Sequence, residues 1–194
     1  MGNNKSSVSG LYIVSVSLGS FLLAVVFFWL SNLLSDKVQS LALSVVFLIL
    51  IILVGIIADI LGVSVTAASE VPLHAKAAKK IAGAAEGVFL IRNADRVANI
   101  MNDVFGDIAG TVSGALGIAL ALQIAKQWND TGQLLANVLL TALIAAATVG
   151  GKAAGKRIAL THADEVVYLA GKFLHGISVI TGKDFSSRPR KSHK

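Results

Sequence analysis

A chain of 194 residues with 55% hydrophobic and only 14% charged residues, at a mean hydropathy of +0.74, lies well outside the composition of soluble domains, in which about a quarter of residues are charged. The absence of cysteine excludes disulfides and thiolate metal sites. The formal net charge is +6, but the basic residues flank apolar runs with no aromatic platform among them, a pattern that excludes a nucleic-acid reader and fits a lipid bilayer.

Four apolar runs are long enough to be considered as spans. The first, "LYIVSVSLGSFLLAVVFFWLSNLL", carries no charge and is longer than the roughly 7–15 apolar residues of a signal peptide. The second, "LALSVVFLILIILVGIIADILGV", is interrupted only by Asp59 near its end. The third is "VFGDIAGTVSGALGIALALQI", and the fourth, "LLANVLLTALIAAATVG", is shorter and alanine-rich. The expectation is an all-α polytopic membrane protein with four transmembrane helices.

The positions of Lys and Arg orient those spans. Lys37 and Lys126 stand alone in the first and third connections, whereas the second carries Lys76, Lys79, Lys80, Arg92 and Arg96, and the C-terminal part is rich in both. Positive charge accumulates on the cytoplasmic side, so both termini and the long middle segment are expected there, in the plasma membrane. Trp29 and Trp128 then fall at the outer interface, where indole rings settle.

Residues 64–103 are too polar to span and too helix-prone for a loop. Pro72 suits the first helical position, "IRNAD" reads as a break, and Asn93 or Asp95 suits the cap of a second helix running into the third span, which predicts a cytoplasmic helical hairpin. After the fourth run, Val166, Val167, Leu169, Ala170, Phe173, Leu174 and Ile177 form the stripe of an amphipathic interfacial helix that starts near Thr161 or His162. The expected organisation is a short N-terminus (1–10), an additional first span (11–35), a principal transmembrane domain (41–182) and a basic disordered tail (183–194).

Asp95, Asn99, Asp103, Asp107 and Thr111 recur at every fourth residue into the third span, with Asn102 beside them. On an α-helix this is a slanting row of oxygens. Gly106, Gly110 and Gly114 form a small-xxx-small series next to it, suited to close helix packing. A carboxylate such as Asp107 is costly in a bilayer and marks a partner, an ion or a wet cavity; Asp95, Asn99 and Asp103 read equally as a solvated, capped helix end. Ser69 and Glu70 fall at headgroup level and read equally as a helix cap and first-turn acid. His74, His162, His175 and His193 show no metal-ligand spacing, and no nucleophile–base set or phosphate loop is present, so no enzyme and no bound cofactor is expected.

Four stretches in order, "AASEVP" (67–72), "RNADRVANI" (92–100), "GKAAGKRIA" (151–159) and "ADEVVYLAGKFL" (163–174), resemble the transmembrane domain of the cyclin M (CNNM) and CorB/CorC family of magnesium transport proteins. The family's stations there are S-x-S-E-x-A, N-P-D-R, G-E-x-x-P-K and an amphipathic x-E-x-V-A helix, and the likeness covers about residues 41–182. It implies a homodimer whose helices bind dehydrated Mg²⁺, as substrate, in a cytoplasm-facing cavity. It also implies nucleotide-sensing CBS modules after the membrane domain, which these 194 residues do not contain.

Carried over residue by residue, the resemblance places Ser69 and Glu70 at the first motif, with Ala67 replacing its first serine. Asp107 falls near the polar positions of the second helix, which makes Asp107 and Ser69 the implied metal ligands. Gly151 and Lys156 match the last motif, Gly155 replaces its proline, and Lys152 replaces its glutamate. An ammonium in place of the anchoring carboxylate opposes Mg²⁺ by roughly 4 kcal/mol per unit charge at about 4 Å and an effective dielectric near 20. Lys152 therefore reads either as a tethered cation paired with Asp107, Glu70 or Asp59, or as a lysine snorkelling from a helix end. Two functions follow as expectations: divalent-cation transport, or a non-transporting scaffold with an unidentified membrane partner, its site closed by a Lys152–acid pair.

Overall fold

The computed structural model describes residues 10–37, 41–126 and 128–182, and among these residues every regular element is helical. The chain runs α1 (Gly10–Lys37), α2 (Leu41–Ala67), α3 (Glu70–Ala78), α4 (Ala84–Arg92) and α5 (Ala94–Ala98), then a π-helical stretch (Asn99–Gly106), α6 (Asp107–Ile124), α7 (Asp130–Thr161) and α8 (Ala163–Thr181). The basic tail expected at 183–194 lies outside the described residues, as do residues 1–9.

Three helical segments among the described residues are long and apolar enough to cross a bilayer: Leu41–Ala67, Ala94–Ile124 and Asp130–Thr161. Ile13–Trp29 is a shorter apolar helix. The apolar side chains on these segments are largely turned outward, as lipid solvation allows and water does not. Leu134, Leu139 and Leu143 of α7, for instance, are 65%, 61% and 65% exposed.

Two compact units divide the chain. The first contains α1, residues 41–54 of α2, α6, and α7 to residue 147. There α1 packs against α6, and Ile108, Val112, Leu116 and Leu120 make the buried stripe of α6 at helical spacing. Gly117 continues that stripe: a methyl added to it would come within 2.1 Å of the Ile144 Cδ1 of α7, so the lack of a side chain is what lets these helices meet. Gly110 and Gly114 have open space at the corresponding position, so the close approach falls one turn further along than the series read from the sequence.

The second unit contains residues 55–106 and 148–182. Its core gathers Val65, Leu73, Val88, Leu90 and Val167, from α2, α3, α4 and α8. Ser69 caps α3, its Oγ accepting from the Val71 N–H, so the helix starts at Glu70, two residues before the expected Pro72, which still falls within the turn whose N–H groups have no intrahelical partner. The expected first helix of the hairpin is interrupted between Ala78 and Ala84, where Lys80 (φ 55°) and Gly83 (φ 82°) take left-handed backbone. Gly83 adopts this at little cost, and its position is dictated by α8, since any Cβ there would meet the Lys172 backbone at 2.5 Å. Asn93 does end a helix, but its Nδ2 donates back to the Phe89 carbonyl instead of capping α5. The helix of the fourth apolar run extends well past Gly150: α7 continues through Lys152 to Thr161, a stretch with no proline to interrupt its backbone bonds.

Candidate cation site

Within the second unit the residues that bear on chemistry lie on α2, the π-helical stretch and α7. Gly55, Ala58, Asp59, Gly62 and Val65 are buried along one face of α2. Asp59 is only 5% exposed, and its Oδ2 has no hydrogen-bond partner. One turn along, Gly62 leaves a gap that the Asn102 amide enters so closely that a methyl on Gly62 would fall 2.0 Å from Asn102 Oδ1. That oxygen is also buried and unpartnered. Residues three apart on a helix share a face, so the orphaned carboxylate and the place where the orphaned amide enters are neighbours on α2.

The π-helical geometry is what carries Asn102. A π-helix closes its bonds from i to i+5 and is rare outside single turns, which cluster at functional positions. Here it covers eight residues inside a candidate span. It also interrupts the row of oxygens expected at α-helical spacing. Asp103 is exposed and accepts from Asn99 Nδ2 at 2.5 Å, while Asn102, only beside the row in the sequence, is half-buried with its amide oxygen shut away from solvent.

On α7, Gly151 and Gly155 lie against Ile56 and Ile60 of α2, where added methyls would meet side-chain carbons at 2.3 and 2.8 Å. This close crossing brings the Lys152 stem inward. Its Nζ donates to the Gly106 carbonyl, the last of the π-helical stretch, at 3.4 Å. Gly106 is shaped for that contact, since a Cβ on it would be 3.2 Å from the amine. Lys152 is thus half-buried in the interior of a helix, nine residues before its end, and is not a helix-end lysine. Among the described residues it makes no salt bridge; the ion pairs there join Glu70 to His74 and Arg92, and Glu86 to His175.

Of the other residues singled out in the sequence, Ser69 and Glu70 lie outside the spans, at the mouth of the α3–α8 junction. Asp164 accepts from the Ser69 backbone N–H at 2.7 Å, tying the start of α3 to the start of α8, and a cavity of about 310 Å³ lined by Ser69, His162, Asp164 and Glu165 opens beside it. Glu70 Oε2 holds His74 Nε2 at 2.9 Å and Arg92 Nε at 3.2 Å, so its carboxylate is already committed. Asp107 opens α6 in the first unit, exposed, with its carbonyl accepting from Thr111 Oγ1 at 2.9 Å.

The His74 hydrogen bond, followed by the Arg92 guanidinium, holds the Glu70 carboxyl below its ordinary value. A carboxylate lowered in the folded state contributes stability above the unfolded pKa and loses it as pH falls through the folded one. The melting temperature of wild type is therefore expected to exceed that of Glu70→Gln by a constant margin at neutral pH. The margin should close as pH drops below about 4.5, and a margin independent of pH would show that the cluster does not hold the charge.

No three His, Cys, Asp or Glu side chains come together as a metal-binding group among the described residues. Any hard cation in the second unit would have to draw its oxygens from mixed sources: carboxylate, amide and backbone carbonyl. No protein-family model, curated protein or solved structure matches the chain.

Proposed function

We propose that the chain is a divergent CorB/CNNM-like membrane protein that moves Mg²⁺ or a similar divalent cation, with Asp59 and Asn102 supplying the oxygens of its path. The observation that carries this reading is the pair of buried, unpartnered oxygens on α2 and the π-helical stretch. A buried carboxylate without a partner is strongly disfavoured, and a hard cation is the ligand that would satisfy it together with an amide oxygen. In this reading α1, α2, the 94–124 segment and α7 make four spans, the hairpin α3–α5 and both termini face the cytoplasm, and α8 lies in the interface of the plasma membrane. The exposure of Phe173 (73%) and Ile180 (86%) supports the last point. The open Gly110 and Gly114, with exposed Thr111 between them, would serve a homodimer contact.

A second reading is favoured by one contact, the Lys152 amine on the Gly106 carbonyl. It makes the lysine a permanent occupant of the cation's place and the protein a non-transporting scaffold. Mg²⁺ flux into proteoliposomes separates the two. Transport predicts wild-type flux that Asp59→Asn reduces at least tenfold. The scaffold reading predicts no wild-type flux and a gain on Lys152→Glu; silence in wild type and both variants defeats both readings.

A further inference from the structure

The second unit carries a basic cluster that neither reading of the cation site uses. The amines of Lys76 on α3 and Lys172 on α8 both sit over one ring, that of Tyr168, at 4.1 and 4.8 Å from its centroid. Neither amine has a carboxylate partner among the described residues, although the ion-pairing acids Glu70 and Glu86 are on the same set of helices. Two like charges held around one ring repel each other. The negative face of the ring relieves part of that cost, and an anion bridging the two amines would relieve more.

The surroundings select the kind of anion. Leu169, three residues before Lys172 and beside it on α8, is 63% exposed, Phe173 one turn beyond Leu169 is 73% exposed, and Val71 on α3 is 75% exposed. A small soluble anion would leave these side chains in water, whereas a lipid surface covers them while its headgroups meet the amines. Chain continuity points the same way. Helix α3 starts at Glu70, just after α2 ends at Ala67, and α8 starts at Ala163, just after α7 ends at Thr161, and both preceding helices are candidate spans. Each of these two lysine-bearing helices therefore begins where a candidate span ends.

We propose that Lys76 and Lys172, spaced by the Tyr168 ring, form a binding site for the phosphate of anionic lipid headgroups. The proposal rests on the membrane reading above, though not on cation transport. A lysine near an anionic surface contributes about fivefold to binding, so the pair contributes about twenty-five-fold.

The test is native mass spectrometry of the full chain in detergent, titrated with phosphatidylglycerol and, separately, phosphatidylcholine. Wild type is expected to bind phosphatidylglycerol preferentially and Lys76→Gln/Lys172→Gln to lose about twenty-five-fold, with phosphatidylcholine unaffected. Tyr168→Phe, which keeps the ring, should bind within about twofold of wild type, and Tyr168→Leu should fall between wild type and the double variant. Equal binding of the two lipids, an undiminished double variant, or displacement of phosphatidylglycerol by soluble pyrophosphate overturns the proposal. A wild-type chain that alkaline washing strips from membranes removes the membrane reading and this proposal together. A chain that stays and binds both lipids alike removes this proposal alone.

Discussion

Gly171→Ala is expected to destabilise the protein by about 3 kcal/mol, the upper part of the range for forcing a methyl into a packed site. The added Cβ would stand 2.2 Å from the Gly83 carbonyl and 2.8 Å from the Gly87 nitrogen, all backbone atoms that no rotamer change can move aside. Relief requires α8 to lift from α4, and with it Val167, wholly buried in the core that the two helices share with Leu73 and Val88. Gly176 on the same helix has no atom within 4 Å of the place a methyl would occupy, so Gly176→Ala should instead stabilise by about 0.5–1 kcal/mol through helix propensity. Thermal unfolding of the two variants in one detergent should thus move in opposite directions. For a chain of this size the Gly171→Ala midpoint should fall by about 6–12 °C. A Gly171→Ala protein that melts like wild type would mean that α4 and α8 do not cross at this distance.

The second large effect concerns Asp59. In metal-free buffer a buried carboxylate oxygen without a partner is a standing cost, and Asp59→Asn removes the charge while keeping nearly the same shape. The variant is expected to melt higher than wild type when divalent cations are chelated. Adding Mg²⁺ should reverse the order, because a ligand at about a hundred times its dissociation constant stabilises the protein that binds it by about 2.7 kcal/mol. Asp59→Asn should show no such gain, and Lys152→Met should show a larger one, having lost the competing ammonium. Melting curves with and without Mg²⁺ measure all three. An Asp59→Asn protein that keeps the full Mg²⁺ shift would remove the carboxylate from the site.

The apolar runs were legible as helices because twenty or so uncharged residues have few other ways to satisfy their backbone. What the sequence concealed is where tertiary contacts override local preference. "AKKIAGAAEG" is rich in good helix formers, yet the chain breaks inside it because α8 passes so close that residue 83 must lack a side chain. The π-helical stretch carries no proline and no glycine before its last residue, so nothing local announces it, and with it Asn102 rather than the row itself supplies the buried oxygen. Lys152 and Asp59 were both visible as charges in apolar surroundings. What each one touches was not, because the Lys152 contact spans 46 residues of sequence and the Asp59 oxygen is defined by lacking a partner.

The glycines at 83 and 171 stand where neighbouring backbone comes within 3 Å of the place a methyl would occupy. Drift elsewhere can replace one aliphatic residue by another of similar bulk, but at these two places the permitted alphabet is nearly a single letter. A distant cousin whose overall wording has been rewritten would still have to keep that punctuation, at the same interval, to bring α4 and α8 together.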